Sequence, residues 1–223
     1  MLVRLRWILG LTIVAMIAGV PYVHYRATYA HAKRMREVTP DRFYRCGQLT
    51  ADGFRETIPR YGIRTVINLQ HEATDPMLPD SYYRSKPAIL ESELCEQLGA
   101  RYVQLTVDLL PRPQAEKLRP EVIDEYLKIL DDPKSYPILL HCKAGLHRTG
   151  LLTAIYRMEY EHWPKADATR ELRANGFGDF ACTTADDYVY EYLYLYEPRW
   201  QGKPAKEGGM VKDGSAPKNG GPP

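Results

Sequence analysis

An apolar run that ends in a thiol and a tight basic loop constrains this chain more than any other feature. It reads Pro137-Ile138-Leu139-Leu140-His141-Cys142-Lys143-Ala144-Gly145-Leu146-His147-Arg148-Thr149-Gly150. Ile138, Leu139 and Leu140 form a short continuous apolar run, the pattern of a buried central strand. Beyond the loop, Leu151, Leu152, Ile155 and Tyr156 recur at helical spacing. A strand, a loop and a helix N-terminus therefore converge on one point, where backbone N–H groups can ring an anion.

Cys142 stands at the start of that loop. A helix end and nearby cations favour its thiolate, the form that attacks. Arg148 closes the loop, and its planar fork can hold two oxygens of a tetrahedral oxyanion into the transition state. Gly145 permits a turn that a side chain would block. Thr149 can hydrogen-bond the sulfur and stabilise it as a leaving group. The residues describe a phosphate cradle with a nucleophile at its base. The bland alternative is a buried structural Cys beside a surface Arg, and it leaves the strand–loop–helix context without a purpose.

The same residues resemble the signature of the cysteine-dependent protein tyrosine and dual-specificity phosphatases. His-Cys, five residues, then Arg-Thr-Gly stand here as HCKAGLHRTG over residues 141–150. Lys143-Ala144-Gly145 is similar to the loop of lipid-directed, phosphoinositide-type members. His147-Arg148-Thr149-Gly150 is similar to the atypical plant and fungal dual-specificity group, some of which act on inositol pyrophosphates. Phe43-Tyr44-Arg45-Cys46-Gly47-Gln48 and Gly62-Ile63-Arg64-Thr65-Val66-Ile67-Asn68-Leu69 extend the likeness, which covers residues 40–197. A rhodanese-type sulfurtransferase also uses a Cys loop, but the Arg-Thr-Gly ending and the loop length fit it poorly.

The resemblance implies an α/β fold, a small central, mostly parallel sheet with helices on both faces. It implies that Cys142 forms a phosphocysteine. Arg148 and the loop Lys143, Ala144, Gly145, Leu146 and His147 would bind the substrate phosphate, and His141 would orient the loop. Neither a metal nor another cofactor is expected, because Arg148 and the loop amides fill the electrophilic role. Asp108 occupies the position of the family's general-acid loop, where it would protonate the leaving oxygen. The common Trp-Pro-Asp pattern is absent there, since Asp108 precedes Pro111 and Pro113 instead. A loop-capping role for Asp108 stays open.

A net charge of +2 gives no case for nucleic acid, and no Lys/Arg block is interleaved with aromatics as a single-strand binder requires. The four cysteines, Cys46, Cys95, Cys142 and Cys182, contain no C-x-x-C, and no His pair completes a zinc pattern. Cys46 and Cys95 read as small buried residues.

Residues 7–23 carry no charge, and 17 residues is the lower limit for a membrane span. Trp7 and Tyr22 sit where interfacial aromatics belong. A cleaved signal peptide should end in small residues, whereas this run ends in Pro21-Tyr22-Val23-His24-Tyr25-Arg26. The sequence therefore favours a retained transmembrane helix. Arg26, Lys33, Arg34 and Arg36 follow it, as a solvated linker or as a patch on anionic headgroups. Their charge and the need for a reducing compartment favour a cytoplasmic catalytic domain, while the basic residues Arg4 and Arg6 before the run argue the other way.

Three segments are expected: residues 1–38 as anchor and linker, 39–200 as the phosphatase domain, and 201–223 as a disordered Gly-, Pro- and Lys-rich tail. Within the domain the patterns predict strands near 43–45, 65–69, 101–107 and 138–140. Helices are predicted near 51–60, 88–98, 114–132, 151–162, 167–175 and 185–197. The leading function is a protein tyrosine or dual-specificity phosphatase. A phosphatase of inositol phosphates or phosphoinositides is the second reading, and a catalytically silent phosphate-binding module is the third.

Overall fold

The computed structural model describes residues 2–25, 32–70, 77–78, 89–105, 121–177 and 188–201. Its strands are β1 (Arg36–Thr39), β2 (Phe43–Gly47), β3 (Thr65–Asn68), β4 (Met77–Leu78), β5 (Ile89–Leu90), β6 (Arg101–Gln104) and β7 (Ile138–Cys142). The helices are α1 (Leu2–Tyr25), α2 (Ala51–Arg60), α3 (Glu91–Gln97), α4 (Glu121–Asp131), α5 (His147–Tyr160), α6 (Lys165–Ala174) and α7 (Tyr188–Leu195).

β7 lies at the centre of a sheet ordered β1-β2-β7-β3-β6. It pairs in parallel with both β2 and β3, and β3 pairs in parallel with β6. Within this sheet, among the described strands, β1 alone runs antiparallel, against β2. All five residues of β7 are buried, as a central parallel strand requires. Side chains alternate across it. Ile138, Leu140 and Cys142 join the cluster formed with Tyr126, Leu151, Ile155, Leu172 and Leu193. Leu139 joins the opposite cluster with Tyr44, Cys46, Phe54, Val66 and Leu94. Burying each such Leu or Ile side chain contributes about 1.5–3 kcal/mol. The fold is α/β, a mostly parallel sheet between two helical layers, as the resemblance implies.

Local signals explain several boundaries. The Thr50 hydroxyl accepts from Gly53 N at 3.1 Å and caps α2. The helix expected from residue 114 is described from Glu121 onward, just after Pro120. The helix expected from residue 88 starts instead at Glu91, because Ile89–Leu90 pairs with Met77–Leu78. The largest departure is β1. The segment read as anchor and linker, residues 1–38, ends in residues of β1, where Arg36 and Glu37 pair with Arg45 and Tyr44 of β2. Asp108, Cys182 and the tail after Gln201 lie outside the described residues.

α1 contains a stretch, Arg6–His24, of 19 residues with mean hydropathy 1.7 and no burial against the rest of the chain. It is long and apolar enough to cross a membrane.

Candidate active site

The loop between β7 and α5 owes its shape to where its carbonyl oxygens are held. Lys143 O accepts from Gln48 N at 3.2 Å. Ala144 O accepts from Arg34 Nη1 at 2.8 Å, and Gly145 O accepts from Arg45 Nη2 at 2.8 Å. A trans peptide is planar, so its N–H points opposite to its C=O. Three consecutive carbonyls drawn toward the N-terminal segment therefore turn the amides of Ala144's successors and of Ala144 itself the other way. The Gly145 N–H demonstrates this, since it reaches Cys142 Sγ at 3.3 Å. The first N–H groups of α5 have no intrahelical acceptor, and Leu146 offers no side-chain cap.

Gly145 adopts φ +72°, a left-handed conformation. A Cβ there would stand 2.6 Å from Gly47 N and 2.7 Å from Cys46 C and O. The loop and β2 thus meet backbone to backbone. Register puts Gly47 beside Cys142 and Cys46 beside His141.

Arg45 is 3% exposed, a charge inside a five-residue buried strand. Burial pulls its pKa down to about 10, with Glu171 pulling in the opposite direction. Its reward is the bond to Gly145 O, which fixes the peptide that follows. Burial pushes the Cys46 thiol well up and the Cys95 thiol up to about 12, which disfavours the thiolate at both.

On the other face, His141 Nε2 lies 2.7 Å from Glu91 Oε1, and both side chains are buried. Glu91 Oε2 accepts from Gln48 Nε2 at 2.7 Å. Gln70 Nε2 in turn donates to Gln48 Oε1. Glu91 thereby ties the residue before the nucleophile to Gln48, whose amide holds Lys143 O.

Arg148 Nη1 donates to Leu69 O, at the end of β3. That bond orients the guanidinium through Nη1. Leu146 is buried and precedes the first turn of α5. His147 packs edge-on against Phe177, with ring centroids 5.5 Å apart. The bond expected from Thr149 to the sulfur is not formed. Its hydroxyl is fully buried without a hydrogen-bond partner, while its carbonyl accepts from Thr153 Oγ1.

The structure therefore gathers Cys142, Lys143, Ala144, Gly145, Leu146, His147, Arg148 and Thr149 in one loop and helix start. Sequence reasoning missed four supporting residues: Lys33, Arg34, Arg45 and Glu91. Arg45 carried a signal, an arginine inside a strand of otherwise uncharged residues. The others looked like linker and helix-surface charges.

Comparison with known proteins agrees with this geometry. The family model described as "DSP-PTPase phosphatase fused to NAD+ Kinase" matches residues 15–187. The dual specificity protein phosphatase TpbA of Pseudomonas aeruginosa is 39% identical over 59 residues, 26% of this chain and 27% of TpbA. The chain thus spans about a quarter of that relative's length. The inositol diphosphatase DSP2 of Oryza sativa subsp. japonica is 28% identical over 163 residues, covering 66% of this chain and 70% of the rice protein. The fold is shared with the crystal structure of P. aeruginosa TpbA, at TM-score 0.54 and 20% identity over 74% of this chain and 86% of that one. It is also shared with the core catalytic domain of the PP-IP phosphatase SIW14 from S. cerevisiae, at TM-score 0.51 and 19% identity over the same shares. With most of its length accounted for by that family model, the chain belongs to the DSP-PTPase phosphatase family.

Proposed function

We propose that the chain hydrolyses phosphate monoesters through a phosphocysteine on Cys142, as a tyrosine or dual-specificity phosphatase. One observation supports this reading: the carbonyls of Lys143, Ala144 and Gly145 are tied away from the sulfur, and the Gly145 amide donates to Cys142 Sγ at 3.3 Å. The thiolate attacks phosphorus and the ester P–O bond breaks. Loop N–H groups and Arg148 hold the equatorial oxygens. Asp108 gives its proton to the departing oxygen, and water then cleaves the S–P bond to release phosphate and restore the thiolate. Thr149 has a buried, unpartnered hydroxyl that can turn to the sulfur as it leaves. The similarity to inositol diphosphatase DSP2 and to SIW14 supports inositol phosphates as a second substrate class.

Full-length protein in detergent should hydrolyse a small aryl phosphate in the presence of a chelator, and Cys142→Ser should abolish it. Activity indifferent to that change would end the enzyme reading and leave a phosphate-binding module. Asp108→Asn should slow esters with poor leaving groups far more than those with good ones. Equal losses would remove Asp108 from the acid role.

Residues 7–23 are proposed as a retained transmembrane anchor, with the catalytic domain in the cytoplasm and residues 201–223 as a disordered tail. The apolar, unburied stretch in α1 supports the anchor. Protease protection of residues 32–200 in sealed vesicles tests the orientation.

A further inference from the structure

We infer that Arg45 is a positioning residue for phosphoryl transfer. From beneath the catalytic loop its guanidinium fixes the Gly145–Leu146 peptide and so holds the Leu146 N–H toward the phosphate oxygens. This deepens the phosphatase reading and rests on it.

Arg45 stands where an arginine is costly. It is the middle residue of β2, a strand buried along its whole length. A guanidinium taken out of water calls for a carboxylate partner. Among the described residues none forms an ion pair with Arg45. Glu171 attracts it, but the oxygens of Glu171 are bonded to Arg157. What Arg45 grips instead is a loop carbonyl, Gly145 O, at 2.8 Å, and that bond is buried. A buried cation spent on one peptide oxygen is poor value for stability alone, and such breaches of local rules gather at functional sites.

Register explains how it reaches the loop. Arg45 pairs with Leu140, and Gly47 pairs with Cys142. Side chains alternate along a strand, so Arg45 and Cys142 share one face of the sheet. A Cβ on Gly150 would stand 3.6 Å from Arg45 Nη2, which puts the guanidinium beside the first turn of α5. The peptide it holds is planar, so a carbonyl drawn toward Arg45 sends the Leu146 N–H to the opposite side. Among the described residues that N–H has no protein acceptor. As phosphorus turns trigonal, its equatorial oxygens move, and a donor already fixed serves them without reorganisation. A loose peptide can turn to meet a ground-state phosphate, but it loses that advantage in the transition state.

The test uses full-length protein in detergent micelles. Arg45→Gln should lower kcat for p-nitrophenyl phosphate about tenfold and leave KM within about twofold, because the donor is displaced rather than removed. Arg45→Lys, which keeps a charged donor, should recover most of that loss and stay about threefold below wild type. Affinity for orthovanadate, whose bound form mimics the trigonal phosphorus, should fall about tenfold in Arg45→Gln, while affinity for inorganic phosphate stays within about twofold. A wild-type kcat, a rise in KM with kcat intact, or equal falls on phosphate and orthovanadate overturns the inference. So does Arg45→Lys as slow as Arg45→Gln. If Arg45→Gln does not fold, Arg45→Lys decides by the same split between kcat and KM, and a wild-type kcat there overturns the role. If wild-type protein hydrolyses no monoester, the phosphatase reading fails on its own. Orthovanadate binding then decides, and equal affinity in wild type and Arg45→Gln overturns the inference.

Discussion

Glu91 Oε1 and His141 Nε2 stand 2.7 Å apart, and both side chains are buried. The residue after His141 is the proposed nucleophile. The other oxygen of Glu91 holds Gln48, whose backbone amide holds the carbonyl of Lys143. One buried carboxylate therefore braces the loop from both ends of its first turn. Removing one member of a buried polar pair strands the other, which costs about 3 kcal/mol. Glu91→Leu should accordingly lower Tm by about 6–12 °C in a chain of this size. Glu91→Gln, which keeps a hydrogen-bonding shape, should lose less. An unaltered thermal transition for Glu91→Leu would show that the pair contributes nothing.

Gly145 should tolerate no side chain. Its φ of +72° strains any L-residue, and a Cβ would collide with backbone atoms of Cys46 and Gly47 rather than with a side chain that can swing away. Strain and overpacking together predict a loss of about 2–4 kcal/mol for Gly145→Ala. Turnover should fall further than stability alone explains, because the Gly145 amide that faces Cys142 Sγ would be displaced. Denaturant unfolding and steady-state kinetics on the same variant separate the two effects. A variant with wild-type turnover would show that the amide's position is immaterial.

Arg199 should make the chain acid-sensitive. It donates to Asp131 Oδ2 at 2.7 Å and to Asp131 Oδ1 at 2.9 Å, and it also donates to buried Glu159. The Arg199 hydrogen bond holds the Asp131 carboxyl below the usual range. Burial pushes Glu159 up, but hydrogen bonds from Tyr196 and Arg199 outweigh it, and the net direction is down. Both folded-state values are depressed. Their contribution to stability is therefore complete above the unfolded carboxylate values of about 4 and is lost as pH falls through the folded ones. The Tm gap between wild type and Arg199→Gln should be full at neutral pH and close below about pH 4. A gap that stays constant down to the most acidic melts would contradict this account.

How much of this was legible depends on sequence distance. The loop from His141 to Gly150 is contiguous, so covalent spacing alone announces it, and a run as apolar as residues 138–140 has few places to go but the middle of a sheet. The supports come from far away. Arg34 bonds a residue 110 positions later, and Arg45 one 100 positions later. No periodicity encodes such pairings. β1 escaped notice for a related reason: its four residues, REVT, have one buried side chain among them and carry no apolar alternation. Glu91 looked like an ordinary first-turn acid of a helix. Its burial against His141 depends on α3 packing on the sheet, which a local pattern does not specify.

The outward clasping of the loop carbonyls has a consequence for how the protein comes to life. The donors on Arg34, Arg45 and Gln48 are synthesised about a hundred residues before the oxygens they grip. The carbonyls are held only when β7 lies between β2 and β3, since Arg45 and Gln48 come from β2 and the residue after it. Clipping the chain at residue 38 would spare the whole motif and still unfasten one of its three ties. The ten residues of the signature are therefore not a self-sufficient unit: their loop keeps its shape through side chains and amides that stand outside them.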